Sequence, residues 1–239
     1  MKPIKGILFD KDGTLVDFQA TWHAIGDLMA LKAARGDRSV ADAMMDKAGY
    51  DLAAGRFRAD SIFAAGTNSD IVSLWYPELS DGERLAMVDQ FDHITAIEGA
   101  EQAVALPGIE AAITELHAKG LRLGVATNDS TTGAERTLLA LGIANMFDAS
   151  YGYDSVANPK PAPDSVIAFC DLTGLKPSEI AMVGDNGHDL EMAHNAGCGL
   201  AVGVLSGTGT RETLERRADV VLGSVADLPA YLAAMASDA

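Results

Sequence analysis

The chain has 239 residues, 48% hydrophobic and 22% charged, proportions that exclude a disordered or fibrous protein. Thirty-four acidic against eighteen basic residues give a formal charge of −16, which repels a nucleic-acid backbone or an anionic membrane surface. Nothing approaches the run of about 18 apolar residues that a membrane span requires. Cys170 and Cys198 lie in apolar segments without metal-ligand spacing and read as buried thiols. With no apolar leader ahead of the first strand, the expected compartment is the cytoplasm.

The first predicted element is the apolar run Ile7-Leu8-Phe9, too short for a helix and suited to a buried strand. It opens into Asp10-Lys11-Asp12-Gly13-Thr14, where Gly13 lets the chain turn with a positive φ or pass close to another backbone. From about residue 21 to 35 apolar residues recur at spacings of three and four. Residues 39–48, 61–76 and 81–94 repeat that helical pattern, with breaks near Gly36, between Gly49 and Gly55, and between Pro77 and Asp81. The expectation is an all-helical insertion over residues 18–100.

Beyond Pro107-Gly108 helix and strand alternate. Helices are predicted over 109–119, 132–141, 164–173, 188–196 and 210–216, and strands over 121–126, 147–150, 180–183, 200–204 and 219–222. Such alternation predicts βαβ units with right-handed crossovers, hence an α/β fold with a Rossmann-like parallel sheet and helices on both faces. Residues 1–17 and 101–239 would form that core. The insertion would join it through linkers near Val16-Asp17 and between Gly99 and Leu106, two connections that suggest a hinge.

Ligands of open α/β sheets sit beyond the carboxyl ends of the strands, and those ends carry the chemistry here. The first ends in Asp10 and Asp12, and the strand at 121–126 ends in Thr127-Asn128-Asp129, which reads either as a phosphate-holding loop or as a helix N-cap. After the strand at 147–150 comes Lys160, held between Pro159 and Pro161. The strand at 180–183 ends in Gly184-Asp185-Asn186-Gly187-His188-Asp189. Carboxylates about 4 Å apart repel by roughly 4 kcal/mol per pair at an effective dielectric near 20, so Asp10, Asp12, Asp185 and Asp189 cannot share a crevice without a cation. With oxygen donors and no His/Cys cluster, the cation expected is Mg²⁺. A nucleophilic oxygen, a second carboxyl for proton transfer, a metal and phosphate-binding groups are the parts that phosphoryl transfer needs.

These four motifs, in this order and over nearly the whole length, resemble the haloacid dehalogenase superfamily hydrolases of the phosphoglycolate phosphatase-like group. The resemblance rests on Asp10-Lys11-Asp12-Gly13-Thr14, on Thr127, on Lys160 in Lys-Pro-Ala-Pro-Asp, and on Gly184-Asp185 with Asp189. It implies a helical cap between the first strand and the second motif, a Mg²⁺ cofactor and a small phosphorylated metabolite as substrate, such as phosphoglycolate or a sugar phosphate. Asp10 would attack phosphorus and become an aspartyl phosphate, while Asp12 would protonate the leaving oxygen and then activate water. Asp10, the backbone carbonyl of Asp12 and Asp185 would hold Mg²⁺ with Asp189 behind them, and Gly13, Thr127, Asn128 and Lys160 would serve the phosphoryl group. Lys11 stands where the family commonly has an apolar residue, and Asn186 where it has Ser or Thr.

Two other readings stand beside the phosphatase: a phosphomutase on the same scaffold, and a non-catalytic ligand-binding module, which would ordinarily have lost one of Asp10, Asp12, Lys160 or Asp185. Monomer and homodimer are equally compatible with the sequence. In the insertion, Arg56 and Arg58 stand two apart and so share one side of an extended segment. They either face solvent or bind a substrate carboxylate or second phosphate. Trp22 is cap core or a substrate platform, and His188 a helix-start surface residue or a catalytic one.

Overall fold

The computed structural model describes residues 3–59 and 61–237. β1 (Gly6–Phe9) is buried along its whole length, and the loop after it closes tightly, with Leu15 and Val16 both donating from their amides to the Lys11 carbonyl. Asp17 then caps α1 (Phe18–Ala33) by accepting from the Ala20 amide at 3.0 Å. The insertion therefore starts directly from the first loop, without a spacer.

α1 packs against α2 (Arg38–Ala48), which ends at Gly49 in the left-handed conformation. A small antiparallel hairpin follows, β2 (Tyr50–Asp51) paired with β3 (Arg56–Phe57), where an all-helical block was expected. The hairpin is favoured because it buries Tyr50 and Phe57 against each other, their ring centroids 5.0 Å apart. The helix expected over 61–76 is two helices, α3 (Ile62–Ala65) and α4 (Asn68–Trp75). Gly66 is extended between them, and Thr67 opens α4 with a reciprocal capping box to Asp70, so the local hydrogen bonds favour a fresh start over a continuous helix. α5 (Asp81–Glu101) continues past the expected end at residue 94, into the first residues of the segment read as a linker. Packing against α1, α4 and α7 (Thr131–Ala140) outweighs the weak helix propensity of Gly99. Phe18, Trp22, Phe57, Phe63, Trp75 and Phe91 belong to a hydrophobic core of the insertion's own.

The rest of the chain builds the parallel sheet. α6 (Ile109–Ala118) leads to β4 (Arg122–Ala126), then α7 to β5 (Ala149–Tyr151), α8 (Asp164–Thr173) to β6 (Ile180–Gly184), α9 (Gly187–Ala196) to β7 (Leu200–Val204), and α10 (Arg211–Leu214) to β8 (Val220–Leu222). The strand order is β5-β4-β1-β6-β7-β8. Alternation along β1 sends Ile7 and Phe9 to one face, under α6 and α7, and Leu8 to the other, under α8 and α9. A further helix, α11 (Leu228–Ser237), which the sequence pattern did not single out, packs against α6. Among the described residues no helix is long and apolar enough to cross a membrane.

This order positions the site. Phe9 stands opposite Val125 of β4 and Val183 of β6, so the segments that leave β1, β4 and β6 emerge side by side at the carboxyl edge. The chain order reverses at β1, which opens the crevice characteristic of such sheets at that edge.

Candidate active site

Asp10 directly follows β1, its amide donating to the Val183 carbonyl at 2.8 Å. Its Oδ1 accepts from Lys160 Nζ at 2.7 Å, and the same ammonium lies 2.7 Å from Asp189 Oδ1. All three side chains are buried. Asp185, also buried, turns its Oδ2 to the Thr208 amide at 2.6 Å and to the Thr208 hydroxyl at 3.1 Å. Glycine is required beside it: at Gly13, whose φ is +78°, a Cβ would stand 2.7 Å from Asp185 Oδ2, and at Gly207 only 2.0 Å.

Three buried carboxylates share this floor with one ammonium. Burial pushes the Asp10 carboxyl up to about 7 even though Lys160 pulls it down. Asp185 is raised well above the ordinary carboxylate range by burial and then by Asp10 and Asp189. Burial works against the charge on Lys160, but Asp10 and Asp189 outweigh it and raise the lysine above its usual value. The floor suits a hard divalent cation. Asp10, Asp185 and Asp189 can each present an oxygen within 4.8 Å of the others, and Asp185 Oδ1 is buried without a hydrogen-bond partner.

Above the floor is a cleft between the sheet and the insertion. Asp10, Asp12, Thr127, Asn128, Asp129, Lys160, Asn186 and His188 line it from the sheet side. Phe18, Trp22, Phe63 and the segment from Ala64 to Asn68 line it from the insertion. Asn128 ties the two sides together: its Oδ1 accepts from the Lys160 amide at 3.1 Å, while its Nδ2 donates to the Lys160 carbonyl at 3.2 Å and to the Ala65 carbonyl at 2.7 Å. His188 Nδ1 lies 3.2 Å from the same Ala65 oxygen, which makes it the donor there.

Asp12 is half-buried at the edge of the cleft with both oxygens engaged. Trp22 Nε1 donates to Oδ1 at 2.6 Å, and Lys11 Nζ lies 2.6 Å from Oδ2. Lys11 also reaches Asp129 Oδ2 at 3.1 Å. Burial opposes the charge on this lysine, but Asp12 and Asp129 more than compensate and raise it above its usual value.

The structure thus brings together Asp10, Asp12, Thr127, Asn128, Lys160, Asp185 and Asp189, with Gly13 beneath them. Arg56 and Arg58 stand apart from the cleft lining. Both are exposed, and Arg58 pairs with Asp46 at 3.0 Å and donates to the Asp46 carbonyl. The residue between them, Phe57, is the one that faces inward, its ring 5.1 Å from that of Phe18 and 4.9 Å from that of Phe63. Sequence reasoning did not single out Thr208 or Ser206, which donates from its hydroxyl to the Gly13 carbonyl at 2.8 Å. Their signal was available: Leu205-Ser206-Gly207-Thr208 follows a strand directly, as the site segments after β1, β4 and β6 do. Asn68 was missed as well, since nothing in its own helix marks it as a cleft residue.

The sequence profile of the haloacid dehalogenase-like hydrolases matches residues 4–197. Phosphoglycolate phosphatase of Shigella boydii is 30% identical over 241 residues, covering 94% of this chain and 91% of its own length. The Escherichia coli K12 phosphoglycolate phosphatase is 29% identical over 237 residues with the same coverage. Among solved structures, a protein from Haemophilus somnus described as a predicted phosphoglycolate phosphatase superposes with a TM-score of 0.73 at 25% identity, covering 97% of this chain and 99% of that one. CbbY from Rhodobacter sphaeroides, solved in complex with phosphate, superposes with a TM-score of 0.65 at 23% identity over 94% of this chain and 96% of its own, a likeness of fold.

A raised carboxyl on the floor gives metal binding a definite pH dependence. Because Asp10 is shifted from 3.8 to about 7 in the metal-free fold, its contribution to stability is full at low pH and is lost as the pH rises through about 7. A cation that needs the carboxylate form restores what is lost. The melting temperature in Mg²⁺ minus that in EDTA should therefore widen between about pH 5 and pH 8. A difference that is flat with pH would argue against these carboxylates as the ligands.

Proposed function

The chain belongs to the haloacid dehalogenase-like hydrolase family and is a phosphatase, and we propose that it hydrolyses a small phosphate monoester with Mg²⁺ through an aspartyl phosphate on Asp10. The observation that carries this reading is the floor itself: Lys160 bridging Asp10 and Asp189 at 2.7 Å each, beside Asp185 and beneath Thr127 and Asn128. Asp10 is the nucleophile because its carboxylate stands at the end of the central crevice, within reach of a phosphoryl group in the cleft. As the Asp10 oxygen bonds to phosphorus, the ester P–O bond breaks and its electron pair stays with the leaving oxygen, which takes a proton from Asp12. Asp12 then removes a proton from water as that water attacks the acyl phosphate, releasing inorganic phosphate and regenerating Asp10.

Lys160, the Thr127 hydroxyl and the amide of Asn128 hold the phosphoryl oxygens, and the ammonium also keeps the approach of anion to anion tolerable. Asp10, Asp185 and the Asp12 carbonyl would hold Mg²⁺ with Asp189 behind them, adding charge where negative charge accumulates. The insertion acts as the cap over residues 18–100. It lines the cleft with Phe18, Trp22, Phe63 and Asn68 across from the floor, and a site enclosed between core and insertion suits a small metabolite of the phosphoglycolate or sugar-phosphate kind. The curated relatives support the first of these. The phosphomutase reading needs a second phosphate site, and among the described residues no lysine or arginine of the insertion lines the cleft. Hydrolysis is the better account on that point.

Two kinetic outcomes follow. Asp10→Asn should lower kcat on any accepted ester by roughly three orders of magnitude or more while the fold survives, because the change is isosteric and removes the nucleophile. Steady-state turnover near the wild-type rate would overturn the covalent route. Arg56→Ala and Arg58→Ala should each change kcat/KM for 2-phosphoglycolate and for 4-nitrophenyl phosphate in parallel, within about threefold, since neither guanidinium reaches the cleft. A selective loss on the carboxylate-bearing ester would bring them back as substrate contacts.

A further inference from the structure

Between the two carboxylates of the first loop lies Lys11, 1% exposed and outside the residues that line the cleft. Its ammonium joins Asp12 at 2.6 Å to Asp129 at 3.1 Å and stands 5.3 Å from the centre of the Trp22 ring. Asp129 is itself fixed: its Oδ1 accepts from the Ser130 amide at 2.7 Å, and its own amide donates to the Thr127 hydroxyl at 3.1 Å. One buried cation thus links the proton-exchanging carboxylate to the loop that carries Thr127 and Asn128.

A carboxyl on a single-bonded stem rotates broadly about its last torsion, so one partner leaves its aim loose. Asp12 has two partners, on different oxygens: Lys11 from the sheet side and the Trp22 indole from α1. Two donors occupy about half of the four lone-pair sites of a carboxylate, leaving sites for the leaving oxygen or water. We propose that Lys11 is a positioning residue for the hydrolysis: seated between Asp12 and Asp129, it holds the Asp12 carboxyl against Trp22 and in fixed register with the phosphoryl-binding loop at 127–129. An apolar residue in its place would leave Asp12 with one anchor and Asp129 buried without its cation. This inference rests on the reading of Asp12 as the group that protonates the leaving oxygen.

The effect is specific to that proton transfer, and leaving-group dependence exposes it. An aliphatic alkoxide must be protonated as it departs, whereas 4-nitrophenolate leaves without help. Because kcat/KM covers the steps through release of the alcohol, the measurement is the ratio of kcat/KM for glycerol phosphate to that for 4-nitrophenyl phosphate, in Mg²⁺, for the full chain. Asp12→Asn should lower the ratio by about 10²-fold or more. Lys11→Met and Trp22→Phe should each lower it by about tenfold, the loss expected from one charge-assisted or short hydrogen bond to the reacting group. Lys11→Met strands a buried carboxylate, so the pair Lys11→Met with Asp129→Asn removes both charges together, and Trp22→Phe keeps the ring packing; either reports if the single lysine variant does not fold. If Asp12→Asn lowers the ratio and the Lys11 and Trp22 variants leave it unchanged, Lys11 merely neutralises buried charge and the proposal is wrong while the phosphatase mechanism stands. If Asp12→Asn leaves the ratio unchanged, the role of Asp12 fails, and the positioning role of Lys11 fails with it.

Discussion

Lys160 puts a single ammonium 2.7 Å from both Asp10 and Asp189, all three side chains buried, and the remainder of the site is arranged around that contact. Isolated buried charges cost several kcal/mol each, and removing one partner of a buried pair typically destabilises by about 3–5 kcal/mol. The proposed chemistry accounts for that cost, since it needs negative charge in that place. Three carboxylates with one ammonium leave a deficit of positive charge that a divalent cation and a phosphoryl-transfer step can use. The sheet makes the arrangement cheap in backbone terms: Asp10 and Asp185 end neighbouring strands, and Asn128 fixes the Lys160 backbone from the end of a third.

A second cation cluster sits one residue further along the first loop. Lys11 does for Asp12 and Asp129 what Lys160 does for Asp10 and Asp189, but its charge is spent on holding side chains rather than on the floor. In the mechanism proposed above, the two lysines divide the site into a nucleophile-and-metal half and a proton-transfer half. Contacts from the insertion reach both: Ala65 meets Asn128 and His188, and Trp22 meets Asp12. Phe57 supports that wall from behind through Phe18 and Phe63, which is the structural use of a hairpin only two residues long on each side.

The sheet and most core motifs were legible in the sequence because each is a local string, an apolar run followed at once by a turn bearing carboxylates, a hydroxyl or glycine, while Lys160 stood out by the prolines on either side. Even the expected strand limits hold to within a residue or two where a buried run stays free of polar residues, as in β6 and β7. The insertion was less legible. Its hairpin is stabilised by rings that come from α1 and α3, contacts that no local window contains. The alternation that puts Arg56 and Arg58 on one side is present, but the inward side belongs to Phe57, so the arginines look outward to solvent and Asp46. Lys11 could be recognised as out of place beside two carboxylates, but its partner Asp129 lies more than a hundred residues away and only the pairing of β1 with β4 brings it near.

The central claim is that Asp10 carries the phosphoryl group during turnover, and trapping that species tests it most directly. Enzyme mixed with a phosphate ester in Mg²⁺, quenched in acid within a turnover and treated with borohydride should show reduction of the side chain at position 10 to the alcohol, located by peptide mass spectrometry. The same treatment without substrate should leave Asp10 intact. Reduction at another carboxylate, or none at all while phosphate is being released, would contradict the account.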